Sequence, residues 1–345
     1  MSAVTPRCTP HSDARFNAAR SALMSRLIVD RFTSRDLGAG CPGTDHAFDS
    51  SSIPPVEWSS MNRILVIGST GNVGRQVVDQ LAITGARFRA MTRSPDAAGL
   101  PPGVEVMRGD LIVPETLDRC LQDIDTVFLV WVAPPAAAAG ALERIAKHAR
   151  RIVFLTAPLK TPHPFFQQPN PSRDVAERIE RLIETSGLEW TFLRAGMFAG
   201  NARHFWGSRI RAGDVVRWPY LNAPTAPTDE RDLAAVAVRA LCEDGHAGAE
   251  YVVTGPQSLT QAEQVHTIGR ALGRSLRVEE MLPDQARSEL LPILGSSTVV
   301  NMLLTAWAAA MGQPAFVTST FAELTGVPPR TFLQWATDHA AEFRA

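Results

Sequence analysis

The sequence predicts an α/β protein: a doubly wound parallel sheet followed by a smaller, mostly helical C-terminal region. Three observations predict it. A strand, a glycine-bearing turn, a helix and a second strand follow one another between Arg63 and Arg93. Apolar strands then alternate with amphipathic helices as far as Leu193. Beyond Arg194 the alternation gives way to short segments and helices.

The first unit opens with Ile64-Leu65-Val66-Ile67 and turns through Gly68-Ser69-Thr70-Gly71-Asn72-Val73-Gly74. The helix after it carries Val73, Val77, Val78 and Leu81 on one face, with Gly85 as its stop. Strand, glycine turn, helix and strand in about thirty residues form the opening unit of a dinucleotide-binding sheet. Gly68 can take backbone angles closed to other residues, Gly71 lets the main chain approach a pyrophosphate, and Gly74 lets the helix lie close to the sheet. The helix start then offers unpaired N–H groups and a partial positive charge to phosphates. The spacing is G-x-x-G-x-x-G, and three glycines alone would equally suit a capped loop. The flanking elements favour the nucleotide site.

Arg93 refines the ligand. About twenty residues past the glycines, an acid reads a free ribose 2′-hydroxyl and an arginine accommodates a 2′-phosphate. Met91-Thr92-Arg93 holds no acid, and an Arg–phosphate pair is charge-assisted. NADP(H) is therefore expected over NAD(H), a solvated surface arginine being the plain alternative.

At 345 residues the chain can hold one large or two moderate domains. The boundaries expected are an N-terminal extension over 1–60, a nucleotide-binding domain over 61–195, and a substrate-binding region over 196–345 partly interleaved with the sheet. Residues 1–60 are rich in Ser, Thr, Asp, Arg, Gly and Pro and lack a sustained apolar period. They read as disordered, and Met61, where the compact part begins, is a candidate for the true start. A net charge of −1 implies no nucleic-acid or membrane partner. The four cysteines stand far apart, without metal-ligand spacing, which fits a reducing, cytoplasmic compartment and no metal.

After the first unit come a strand at 104–107, a helix from Pro114 to Gln122, and a strand over 126–132 that is apolar from Val127 on, as a parallel strand covered on both faces requires. A helix over 135–150, strand 152–155, helix 170–186 and strand 190–193 follow, giving five or six parallel strands. Further on, Thr228-Asp229-Glu230-Arg231-Asp232-Leu233 begins an acidic helix, and 251–254 reads as a strand. Residues 297–311 are apolar nearly all round but too short for a bilayer, which needs about twenty residues. A buried helix, a lid or a homodimer contact is expected there. Thr320-x-x-Glu323 has the form of a capping box, and a last helix presents Phe332, Trp335, His339 and Phe343.

From Met61 onward the chain resembles the NmrA-like branch of the atypical short-chain dehydrogenases/reductases. The resemblance rests on the 68–74 turn, Thr92-Arg93, Gly109-Asp110-Leu111, Ser186-Gly187-Leu188-Glu189-Trp190-Thr191-Phe192-Leu193-Arg194 and Arg231-Asp232-Leu233-Ala234. It implies a Rossmann domain with NADP in the crevice at the carboxyl ends of the strands. It also implies Asp110 and Leu111 beside the adenine, and Val132, Ala133 and Pro134 along the ribose and nicotinamide. Without it, Asp110 reads as an ordinary loop acid.

The catalytic apparatus common in short-chain reductases is absent. Their Tyr-x-x-x-Lys pair passes a proton near neutrality, but four residues after Tyr220 stands Pro224, and four after Tyr251 stands Gly255. The lysine that isoflavone-reductase-like relatives carry is also missing, Ala176 occupying the matching position. Thr156 and Lys160 are left as catalytic candidates, Thr156 also as a cofactor contact. A partly desolvated Lys160 could serve as an acid, against the plainer reading of a solvated lysine on a proline-rich loop. His163 and His204 sit where substrate could lie, though each more often packs or faces solvent. Phe165, Phe166, Met197, Phe198, Phe205, Trp206 and Trp218 are expected to line a pocket for a small apolar or aromatic substrate.

These features support an NADPH-dependent reductase of a carbonyl, quinone or enone. A non-catalytic NADP-sensing regulator is the second reading, and a cofactor-independent cyclase or isomerase of secondary metabolism the third.

Overall fold

The computed structural model describes residues 63–158 and 160–344. The extension expected over 1–60, and the start at Met61, lie outside them. β1 (Arg63–Ile67) runs into the glycine turn, and α1 (Asn72–Thr84) leaves it, burying Val73, Val77, Val78 and Leu81. Gly85 ends α1 in the left-handed region at φ 74°. β2 (Arg87–Thr92) and β3 (Glu105–Arg108) follow. Pro114 opens a 3-10 turn that continues into α2 (Leu117–Leu121). β4 (Thr126–Val130) is buried along its whole length, and α3 (Ala138–His148) leads to β5 (Arg151–Thr156). A single turn, α4 (Pro164–Gln167), precedes α5 (Pro171–Glu184), which the Asn170 side chain caps, and β6 (Glu189–Ala195) follows.

The chain then makes an excursion through α6 (Asn201–Ala212), β7 (Val215–Trp218) and β8 (Pro224–Thr225). It returns with α7 (Glu230–Cys242), capped by Asp229, and β9 (Ala249–Val253). β10 (Leu259–Thr260), α8 (Gln261–Leu272), β11 (Arg277–Glu280), α9 (Pro283–Leu294) and α10 (Ser297–Ala310) come next. α11 (Thr320–Thr325) and α12 (Phe332–Asp338) close the fold.

The main sheet is parallel, with strand order β3-β2-β1-β4-β5-β6-β9. It has seven strands where the sequence pattern gave five or six. The added strand, β9, enters after the excursion and so falls outside the strand–helix alternation. α1 and α7 share one apolar layer against the sheet, and α2, α3 and α5 share the other. The strand order reverses between β1 and β4, so a crevice opens at their carboxyl ends, where open α/β sheets bind ligands.

The C-terminal region has its own core, in which Phe205, Trp206, Trp218 and Trp307 pack against one another. α10 buries Val299, Val300, Leu303, Leu304 and Trp307 there. Packing within its own chain accounts for the apolar stretch at 297–311. The capping box expected at Thr320 is not formed. Ser319 is the N-cap instead, its hydroxyl bonded to Glu323, while true capping boxes start α8 at Thr260–Glu263 and α12 at Thr331–Gln334. The 229–232 motif ties the two regions together. Arg231 pairs with Asp229 and Asp338, and Asp232 pairs with Arg330.

No helix among the described residues is long and apolar enough to cross a membrane.

Candidate active site

The turn between β1 and α1 is built so tightly that two of its glycines cannot be replaced without displacement. Gly68 sits at φ 86°, and a Cβ on it would meet Val130 Cβ at 2.8 Å. A Cβ on Gly74 would stand 2.0 Å from the Gly68 carbonyl oxygen. Ser69 is buried and donates its hydroxyl to the Met91 carbonyl at 2.9 Å, which fastens the turn to β2. No side chain caps α1 at Gly71, so its first-turn N–H groups face outward as an anion site. Asn72 is exposed and Thr70 half-buried beside them. This cradle fits a pyrophosphate.

Arg93 follows β2 with an exposed side chain. Beside it lies Arg108, at the end of β3, in register with Thr92 and donating from Nε to the Arg93 carbonyl at 3.2 Å. Arg75 reaches from α1 to the Ala98 carbonyl, 2.9 Å away, and also to that of Gly99. It thereby holds the loop after β2. Asp110 forms a local turn, its carboxylate accepting from Ile112 N at 3.0 Å, and Leu111 is buried. Val132 and Pro134 are half-buried and Ala133 buried, just past the end of β4.

The other end of the crevice is held by charge. Thr156 ends β5 and donates its hydroxyl to Glu180 Oε1 at 2.8 Å. Arg194, at the paired position on β6, is 1 % exposed and grips the same carboxylate with two N–H groups at 2.9 and 3.0 Å. Its remaining donors go to the Ala157 carbonyl at 3.1 Å and to Glu250 Oε2 at 3.0 and 2.9 Å. All three guanidinium nitrogens are thus engaged, in four hydrogen bonds and an ion pair. Burial pushes the Glu250 carboxyl up, but hydrogen bonds from Lys160 and Arg194 outweigh it and hold it below the usual range.

Two expectations change here. Lys160 is not desolvated: its side chain is 67 % exposed, and Nζ pairs with Glu250 Oε1 at 2.8 Å on the outermost strand. The requirement for it to act as an acid is therefore unmet. His163 is buried and structural, with Nδ1 accepting from Phe165 N at 3.2 Å and Nε2 meeting the Pro314 carbonyl at 2.9 Å. Burial, followed by the nearby Arg203 charge, pushes the His204 imidazole down.

The residues expected to meet substrate divide into two sets. Phe165, Phe166 and Met197 line a groove with His163, Thr225, Thr254 and Phe316. Met197, Phe198, Phe205 and Trp206 line a second hollow, beside Gln261 and Trp307. Each is closed down to about 10 Å³, room for roughly one water. Trp218 lies deeper, donating its indole N–H to Gln261 within the aromatic core. A larger hollow of about 780 Å³ opens between Arg63, Phe88, Gly103 and Asp123. It lies at the amino ends of the strands, away from the glycine turn, so we place the site at the carboxyl ends on the topological rule.

A protein family described as NAD(P)H-binding matches residues 68–244. The chain belongs to that family. The (4-alkanoyl-5-oxo-2,5-dihydrofuran-3-yl)methyl phosphate reductase of Streptomyces griseus is 37 % identical over 294 residues, covering 81 % of this chain and 99 % of the relative. The NAD(P)H azoreductase of Xenophilus azovorans is 33 % identical over 291 residues, covering 82 % and 99 %. Among solved structures, the NADPH-dependent quinone oxidoreductase of Escherichia coli, in complex with NADPH, shares the fold with a TM-score of 0.68 at 19 % identity. That likeness covers 80 % of this chain and 99 % of that one.

Within this NAD(P)H-binding protein, sequence reasoning missed Arg108, Glu180 and Glu250. Arg108 could be found only from the register of β3 against β2. Glu180 and Glu250 lie in a helix and an edge strand and become partners of Thr156 and Lys160 only once α5 and β9 are docked.

Proposed function

We propose that this protein is an NADPH-dependent reductase of small, apolar, conjugated acceptors such as quinones, enones or related dyes. The 68–74 turn and the start of α1 hold the pyrophosphate, Arg93 and Arg108 take the 2′-phosphate, and Asp110 and Leu111 border the adenine. Val132, Ala133, Pro134 and Thr156 flank the ribose and nicotinamide. The reduced nicotinamide supplies the hydride when bound.

The observation that carries the acceptor class is the state of the protons at the strand ends. The Thr156 proton is committed to Glu180, Lys160 is paired with Glu250, and His163 caps α4. Among the described residues, these three strand-end candidates therefore offer no free acid to a developing alkoxide. A conjugated acceptor delocalises the incoming charge, and water can protonate the product afterwards. The two relatives named above support this class: one is a reductase of a 5-oxo-2,5-dihydrofuran, the other an azoreductase. Because the groove is nearly filled, binding requires the segments around Phe165 and Phe316 to part.

The test is oxidation of NADPH by a panel of quinones, enones and simple ketones. Turnover with the conjugated acceptors and little with the ketones is expected. Tight NADPH binding with no oxidation by any acceptor would favour the sensing role instead.

A further inference from the structure

The chain Thr156–Glu180–Arg194 decides the direction of one hydrogen bond, and that direction has a consequence for recognition. Glu180 is bound bidentately by Arg194, so it is an ionised carboxylate and can only accept. The single proton of the Thr156 hydroxyl therefore lies on the Glu180 side of the 2.8 Å contact. Toward any other group, Thr156 Oγ1 offers lone pairs alone. Turning Thr156 away would cost Glu180 Oε1 one of its two donors, the other being Arg194 Nη1, so the hydroxyl is held toward the carboxylate.

We propose that Glu180 is a positioning residue that fixes Thr156 as a hydrogen-bond acceptor, and that the group it receives is the carboxamide N–H of the nicotinamide. This rests on the cofactor reading above. The carboxamide is the donor-bearing substituent of the ring that, on that reading, would lie at the β4–β5 strand ends. A substrate carbonyl or a developing oxyanion offers no proton and would meet lone pairs there. Thr156 thus selects for the cofactor and not for the substrate oxygen.

The experiment compares binding of NADP⁺ with its 3-acetylpyridine analogue, in which a methyl group replaces the carboxamide nitrogen. Calorimetric titration of the wild type should show the analogue binding about 3- to 10-fold more weakly, the size of one hydrogen bond. Thr156→Ser should keep that discrimination, and Thr156→Val should abolish it by weakening NADP⁺ alone. Glu180→Ala frees the hydroxyl proton to rotate and should also reduce the discrimination. Thr156→Val leaves the Glu180–Arg194 pair intact, so the test stands even if Glu180→Ala lowers the melting temperature. Equal binding of the two nucleotides to the wild type, or discrimination that survives Thr156→Val, overturns this inference alone. Binding of neither nucleotide overturns the cofactor reading as well.

Discussion

The two ends of the strand-end crevice are made of different materials. At β1 the walls are main chain: glycines that admit no Cβ and a helix start with no side-chain cap. At β5 and β6 the walls are side chains, tied into a run of charges from Thr156 through Glu180, Arg194 and Glu250 to Lys160. A main-chain site is specified by contiguous residues and tolerates few substitutions. A side-chain network is assembled from distant residues, and its polarity depends on every member being present.

The sharpest way to break the comparison is Arg194→Met. Removing one partner of a buried pair costs about 3–5 kcal/mol, because it strands the other charge. Urea unfolding should show that loss, and a loss under about 1 kcal/mol would mean the network is not structural. Gly74→Val attacks the opposite end. Its side chain would overlap the Gly68 carbonyl, so stability should fall by about 1–3 kcal/mol. NADPH binding, followed by fluorescence, should fall more steeply than stability does. Arg93→Ala should weaken NADPH by roughly 10- to 100-fold, the worth of a charge-assisted hydrogen bond, and leave NADH nearly untouched. Residual preference after that change would be assigned to Arg108 and should vanish in the double variant. Lys160→Ala should have the smallest effect. An exposed ion pair contributes about 0–1 kcal/mol, and turnover should stay within about twofold of wild type, where a proton donor would be indispensable.

The same contrast governs how much could be read before folding. The 68–74 turn, α1 and its stop at Gly85 were legible because every determinant lies within one short stretch. Asp229 and the acidic start of α7 were legible for the same reason. The place of β9 in the sheet was not, although 251–254 reads as a strand, since it joins β6 only after the excursion through α6, β7, β8 and α7. Nor was the capping of α11, where the sequence pointed to Thr320 and the backbone places the N-cap one residue earlier, at Ser319. At the candidate site, Thr156 and Lys160 were singled out, but their environments could not be. The ion-pair partner of Lys160 is Glu250, 90 residues away in the chain. Aromatic residues fared likewise: composition cannot separate Phe165, which lines a groove, from Trp218, which fills a core.

The most direct measurement is a single turnover with the wild-type protein in excess, NADPH deuterated at the hydride-donating carbon, and a cyclic enone. The account predicts one deuterium in each reduced product molecule and matching loss of NADPH. Product without label, or NADPH bound and left unoxidised in the presence of every conjugated acceptor, would contradict it.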